Sequence, residues 1–288
     1  MSKIKIVLDS TADVPIEWKE KYDFGFVPLK VAWPTGEVED DSWEVEKIAD
    51  FYRRIREAKE LPKTSQPSPS DFAKVYREAI EDGYDEIIVL CISSKLSGTY
   101  NSAKTASMDF DIPIYVVDTK LASGVVALVA LRAHELMRMG MSGKEIHDRI
   151  VEKMEAGDFL AIFYVSDFNF LVKGGRITKF QGFIGSMLKL KVAVYITETG
   201  EMVPIGKARG SKKAHELIIS KVLDKYKVGS KLRIIPVSAG NEEEAEELVR
   251  KFEEYYDVEI LHPPSRMAKV ITTHVGPGTA GCGIERIE

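Results

Sequence analysis

The run Glu86-Ile87-Ile88-Val89-Leu90-Cys91 is apolar after its first residue and leads into Ile92-Ser93-Ser94-Lys95-Leu96-Ser97-Gly98-Thr99-Tyr100-Asn101-Ser102-Ala103. A short unbroken apolar run bounded by turn residues reads as a strand covered on both faces, which is the habit of parallel sheets. Thr99 to Met108 has the composition of a helix start. The stretch is therefore a strand-to-helix turn at the carboxyl end of a strand, where open α/β sheets bind ligands. Its hydroxyls, together with the free N–H groups of a helix N-terminus, suit an anion such as a carboxylate or phosphate. The same residues also cap helices with no ligand present, and one turn alone does not separate the two readings.

Similar hydroxyl-rich strand ends recur. Ile4 to Leu8 reads as a first strand ending in Asp9-Ser10-Thr11-Ala12-Asp13-Val14-Pro15, with Asp13 as a candidate N-cap and Pro15 in the first helical turn. Phe26 to Trp33 reads as a second strand, and Ile48, Phe51, Tyr52 and Ile55 follow at helical spacing. Pro62-Lys63-Thr64-Ser65-Gln66-Pro67-Ser68-Pro69-Ser70 has a rigid extended backbone, because each proline fixes its own φ and restrains the residue before it. That composition suits an ordinary linker and also a mount for ligand contacts. Pro113 to Val117 is a further strand, ending in Asp118-Thr119, and Leu121 to Met139 is a strongly apolar helix, too short and too interrupted by charge to span a membrane. Ser142-Gly143-Lys144-Glu145 matches a capping box. The βα alternation to this point predicts a doubly wound parallel sheet.

Beyond Gly157 the pattern changes. A strand over Phe159 to Val165 is followed by a short helix over Phe168 to Lys173, Gly174-Gly175-Arg176, and a second helix over Ile177 to Lys189. Thr197-Glu198-Thr199-Gly200-Glu201 lies between two strand-like runs and signals a hairpin. The expectation is two α/β domains, residues 1–157 with a parallel sheet and residues 158–288 with a mixed sheet containing an antiparallel hairpin. Val270 to His274 reads as a strand running into the loop Val275-Gly276-Pro277-Gly278-Thr279. His134, His147 and His215 fall on charged helices and read as solvated, His262 precedes two prolines, and His274 alone sits at a strand end beside small residues and hydroxyls, which makes it the candidate ligand contact.

The 288 residues carry a net charge of −5, which argues against a nucleic-acid binder. Cys91 within a strand and Cys282 in a glycine-rich tail do not form a disulfide framework, and with no signal peptide read at the N-terminus the expected setting is the cytoplasm. There is no G-x-x-x-x-G-K-[ST], no G-x-G-x-x-G after the first strand, no metal-ligand spacing, and Ser97 is not in G-x-S-x-G. A triad of Ser97, His274 and either Asp9 or Asp118 can be written down, so an enzyme of hydrolase or phosphotransferase type stays as the alternative, without support from spacing. Neutral hydroxyls, glycines and one histidine can hold a carboxyl group by hydrogen bonds, and apolar helices can wall a tunnel for its tail.

Six stretches in order carry a resemblance: Asp9-Ser10-Thr11-Ala12-Asp13, Lys63-Thr64-Ser65-Gln66-Pro67, Ser93 to Ala103, Val117-Asp118-Thr119 with Ala122-Ser123-Gly124, Gly174-Gly175-Arg176, and His274 to Thr279. Together they make the chain resemble the DegV family of bacterial fatty-acid-binding proteins along nearly its whole length. The resemblance implies a long-chain fatty acid buried between two α/β domains. Its carboxylate would be held by Thr64, Ser97 and His274, assisted by backbone N–H groups near Ser65 and Gly98, with Arg176 at the head-group opening. It further implies a carrier without catalytic residues, metal or cofactor. An ATP-binding kinase subunit would be its partner in acyl phosphate formation for phospholipid synthesis, and lipid loading would involve transient membrane contact.

Overall fold

The computed structural model of the protein describes residues 2–177 and 190–287. The helix expected over Ile177 to Lys189 lies outside the described residues, save Ile177 itself, which forms an isolated bridge to Met202. The first part of the chain runs β1 (Ile4–Asp9), α1 (Ile16–Lys21), β2 (Gly25–Val27), β3 (Lys30–Ala32), β4 (Val38–Asp40), α2 (Val45–Glu57), β5 (Lys63–Ser65), α3 (Pro69–Glu81), β6 (Glu86–Cys91), α4 (Thr99–Ser107) and β7 (Ile114–Asp118). Then come α5 (Gly124–Arg138), α6 (Gly143–Glu155), β8 (Phe159–Val165), α7 (Asn169–Gly174), β9 (Lys191–Ile196), β10 (Met202–Ala208) and α8 (Gly210–Lys225). The chain closes with β11 (Lys231–Ser238), α9 (Glu242–Arg250), β12 (Asp257–Ile260), β13 (Ser265–Arg266), α10 (Lys269–Val275) and β14 (Ala280–Arg286).

Among the described residues, β2-β1-β6-β7 form a parallel sheet and β10-β9-β8-β14-β11-β12 a mixed one, with β13 paired to β11. The fold is α/β, as expected. Strands β1 and β6 are buried almost throughout, consistent with a sheet covered on both faces. Helix α5 lies between the two sheets and touches β1, β6, β8, β11 and β14. Val125 to Leu131 along it are all buried, as befits a helix apolar all round. One core cluster is continuous from Leu8 and Leu90 of the first sheet through α5 to Val165 and Val194 of the second. The mixed sheet's other face packs on α8 and α9, and the parallel sheet's other face on α3 and α4. Capping boxes start α3 at Ser68 and Asp71 and α6 at Ser142 and Glu145. The expected hairpin is β9–β10, closed by Thr197 N–H donating to the Glu201 carbonyl at 2.9 Å.

Several expectations are corrected. Phe26 to Trp33 is two strands in two sheets, divided around Pro28, which has no N–H to give a ladder. Lys63–Ser65 is an edge strand, not a linker, completing a small antiparallel sheet in the order β4-β3-β5. Asp13 caps no helix of its own. It sits at φ 48°, and its carboxylate accepts from Ser123 Oγ at 2.6 Å and Ala268 N–H at 2.8 Å. Val270 to His274 is helical, not extended. Its first N–H groups are taken by the Asp13 and Asp41 carboxylates, long-range caps that decide the state of a short β-branched run. His215 is buried, 1% exposed, while His134 and His147 are half-buried against Tyr22 and Tyr115.

Candidate functional site

The end of β5, the turn after β6, the N-terminus of α5, helix α10 and the inner face of the mixed sheet enclose a cavity of about 250 Å³. Most of its wall is apolar, from Leu29, Ile92, Val125, Phe163, Ile196 and Met202 among others. Its polar end gathers all six residues expected there: Thr64, Ser65, Ser97, Gly98, Arg176 and His274. Residues 210 apart in sequence meet at that end, where Thr64 Oγ1 and His274 Nε2 are 2.8 Å apart. Thr64 is fixed by the pairing of β5 with β3, opposite Val31. His274 occupies the last turn of α10.

Ser97 is held on the β6–α4 turn, where its N–H donates to the Ser93 carbonyl at 3.1 Å. Its hydroxyl pairs with Thr99 Oγ1 at 2.8 Å. Gly98 precedes α4, and the Gln66 carboxamide packs so closely on it that a Cβ there would displace that side chain. Gln66 in turn donates to Ser102 Oγ at 2.9 Å. Arg176 follows α7 and donates through Nη1 to the Gly174 carbonyl at 2.7 Å and through Nε to that of Leu96 at 3.4 Å. It thereby ties the end of α7 to the Ser97 turn.

Burial, with a smaller contribution from the Arg176 charge, pushes the His274 ring down to about 4, so the imidazole is neutral near pH 7. Its Nδ1 is buried without a hydrogen-bond partner and faces Gly174, where a Cβ would stand 2.5 Å away. The triad does not form. His274 meets Thr64 rather than Ser97, and no carboxylate orients its Nδ1. Asp9 is engaged by Thr11 and the Ile92 N–H, and Asp118 by Ser94. Among the described residues no group of three or more His, Cys, Asp or Glu is placed to hold a metal ion, and no helix is long and apolar enough to cross a membrane.

A family model described as "uncharacterised protein, DegV family" matches residues 3–286. The chain belongs to the DegV family. It is 53% identical over 288 residues to a fatty acid-binding protein of Thermotoga maritima, covering 99% of both chains. A crystal structure of a DegV lipid-binding protein from Thermotoga maritima superimposes with a TM-score of 0.94 at 51% identity, covering 99% of each chain. The fatty acid kinase B3 protein of Streptococcus pneumoniae, loaded with linoleic acid, matches with a TM-score of 0.81 over 99% of this chain and 100% of that one. At 23% identity it shows a common fold. Solved DegV-family structures from Thermus thermophilus and Bacillus subtilis, at 33% and 32% identity, are described as fatty acid binding.

Two residues at the polar end carry no sequence signal for the role the fold gives them. Gln66 belongs to a quoted motif, but only the fold shows its side chain filling the space above Gly98. Gly174 belongs to Gly174-Gly175-Arg176, but its contact with the His274 ring depends on α10 being a helix packed on α7.

Proposed function

We propose that this DegV protein holds one long-chain fatty acid in the cavity between its sheets. The carboxyl group lies at the Thr64, Ser97 and His274 end, and the alkyl chain lies along the apolar wall. The observation that carries the reading is the Thr64–His274 pair at the polar end of an otherwise apolar cavity. The 53% identity to a Thermotoga fatty acid-binding protein supports it. Each methylene taken from water contributes roughly 0.8 kcal/mol before the costs of binding, so the tail supplies affinity and the polar end supplies orientation. The finer reading is that the protein is a carrier, divided near residue 158 into two α/β domains. It presents the acid to a separate ATP-binding kinase subunit, and the acyl phosphate passes to phospholipid synthesis. A chain with no phosphate-binding loop motif and a head-group end that opens near Lys63, Lys173 and Arg176 suits that division of labour.

Extraction of the purified protein with denaturing solvent, followed by mass spectrometry, tests the binding reading. A long-chain fatty acid near one per chain is expected. An empty extract from protein that also takes up no palmitic acid refutes it. Thr64→Ala, Ser97→Ala and His274→Ala are each expected to fold and to retain less lipid. Full retention by all three would remove the head-group assignment.

A further inference from the structure

Among the described residues, the polar end of the cavity offers a bound carboxylate no cation that is free of other partners. Of the described residues that line the cavity, only Arg176 and His274 can be cationic. Arg176 is turned onto the carbonyls of Gly174 and Leu96. His274 has one nitrogen against Thr64 and the other buried against Gly174 with nothing to accept from it. An imidazolium carries N–H on both nitrogens, so protonation would bury an unsatisfied donor. With its proton on Nε2 alone, the ring donates to Thr64 Oγ1 and frees the threonine hydroxyl for a ligand. The charged groups facing this ring also oppose a cation there. Lys63 on β5, Lys173 on α7 and Arg176 line the adjoining groove, with Lys59 and one acid, Glu60, on its rim. Asp13, Asp41, Glu39 and Lys269 lie at the other end of α10.

We propose that the site binds its ligand as the uncharged carboxylic acid and takes up one proton from solvent for each molecule bound. This rests on the fatty acid reading above. A carboxylate offers only acceptors, whereas a carboxylic acid offers a carbonyl to one hydroxyl and an O–H to another, which matches a wall of Ser and Thr. The proton comes from water or buffer and stays on the ligand's carboxyl oxygen, and His274 remains neutral. A carboxyl group that ionises near 4.3 in water is protonated in about one molecule in 500 at pH 7, so the site must prefer the acid to its anion by more than roughly 500-fold.

The test uses the full chain loaded with palmitic acid labelled with carbon-13 at the carboxyl. The labelled carbon is expected to keep the resonance of the protonated acid from about pH 5 to about pH 8. In parallel, calorimetric titration with monomeric decanoic acid in phosphate and in Tris should report one proton taken up per ligand, with affinity falling about tenfold per pH unit above neutrality. A carboxylate resonance at neutral pH overturns the proposal. With no proton uptake it makes Arg176 the counter-ion, and with one proton taken up it puts that proton on His274. No bound resonance and no heat at any pH would instead overturn the fatty acid reading on which the proposal stands.

Discussion

Gly174 and Gly175 are neighbours with opposite duties, and alanine at each should separate binding from stability. At position 174 the new Cβ would stand 2.5 Å from His274 Nδ1 and 3.6 Å from the His274 Cα, so the ring must swing away from Thr64. The lost hydrogen bond costs about 1 kcal/mol, and alanine in the last turn of α7 returns about 0.8–1.0 kcal/mol of helix propensity. The stability of lipid-free protein should therefore change by less than about 1 kcal/mol. Fatty acid affinity should fall about tenfold, because the head-group donors are no longer aligned. At position 175 a Cβ meets nothing within 4 Å, but the residue ends α7 at φ 65°, a left-handed conformation that costs a side-chain-bearing residue roughly 1–2 kcal/mol. Gly175→Ala should lower stability by that amount and leave affinity unchanged. Urea denaturation of delipidated protein, with displacement of a fluorescent fatty acid, measures both quantities. Unchanged affinity in Gly174→Ala, or the same pattern in both variants, would refute the claim that Gly174 seats the His274 ring.

Glu285 is fully buried, with Arg132 Nε at 2.6 Å and Arg233 Nη1 at 3.4 Å. Glu285→Ala removes one of the two carboxylates that the Arg132 and Arg233 guanidinium groups share, the other being Glu135, and should cost about 1.5–3 kcal/mol in urea denaturation, whereas Glu152→Ala, at the exposed Arg149 pair, should cost under about 0.5 kcal/mol. Burial pushes the Asp41 carboxyl up to about 7, so between its usual 3.8 and about 7 the native chain holds a proton that the unfolded chain has lost. Stability from this group therefore falls as pH rises through that window, by at most about 4 kcal/mol, and Asp41→Asn should abolish the decline. His274 acts in the opposite sense. Its lowered pKa means that stability is lost as pH falls from 6.5 towards about 4, so thermal melts of Asp41→Asn should fare worse towards acid than those of the parent, while Asp13, whose pKa burial also raises, still acts in Asp41's sense. A pH profile of Asp41→Asn that overlays the parent would refute the Asp41 assignment.

What was legible in the sequence had local causes. The buried strand Glu86–Cys91, the Ser142–Glu145 capping box and the Thr197–Glu201 hairpin each follow from a few adjacent residues, and each is present. The candidate residues at the polar end were legible because they sit in turns after strands or in motifs of the family, and the fold brings all six to one cavity. What was not legible depends on distant partners. Lys63–Ser65 resembles a linker until β3 is beside it. His215 sits on a charged helix, yet it is buried beside Tyr164, with Glu244 Oε2 3.3 Å from its Nε2.

The clearest case is α10. Seven residues are too few to hold a helix in water, and Val270, Ile271, Thr272 and Thr273 favour a strand. The helix exists because Asp13 and Asp41, 255 and 228 residues earlier, accept the N–H groups of Ala268 and Lys269. Both carboxylates are buried, and burial raises the pKa of each, so the contacts that start α10 are themselves costly to keep charged. The other end of the same helix sets His274 against Thr64, whose strand is also placed by the first part of the chain. The head-group pair is thus assembled by closing the C-terminal segment onto the N-terminal one, with a carboxylate anchor at one end of α10 and an uncharged hydrogen bond at the other. A site built in this way keeps its carboxylates away from the cavity, where Arg176 is the one fixed charge among the described lining residues and the hydroxyls and His274 are neutral donors and acceptors.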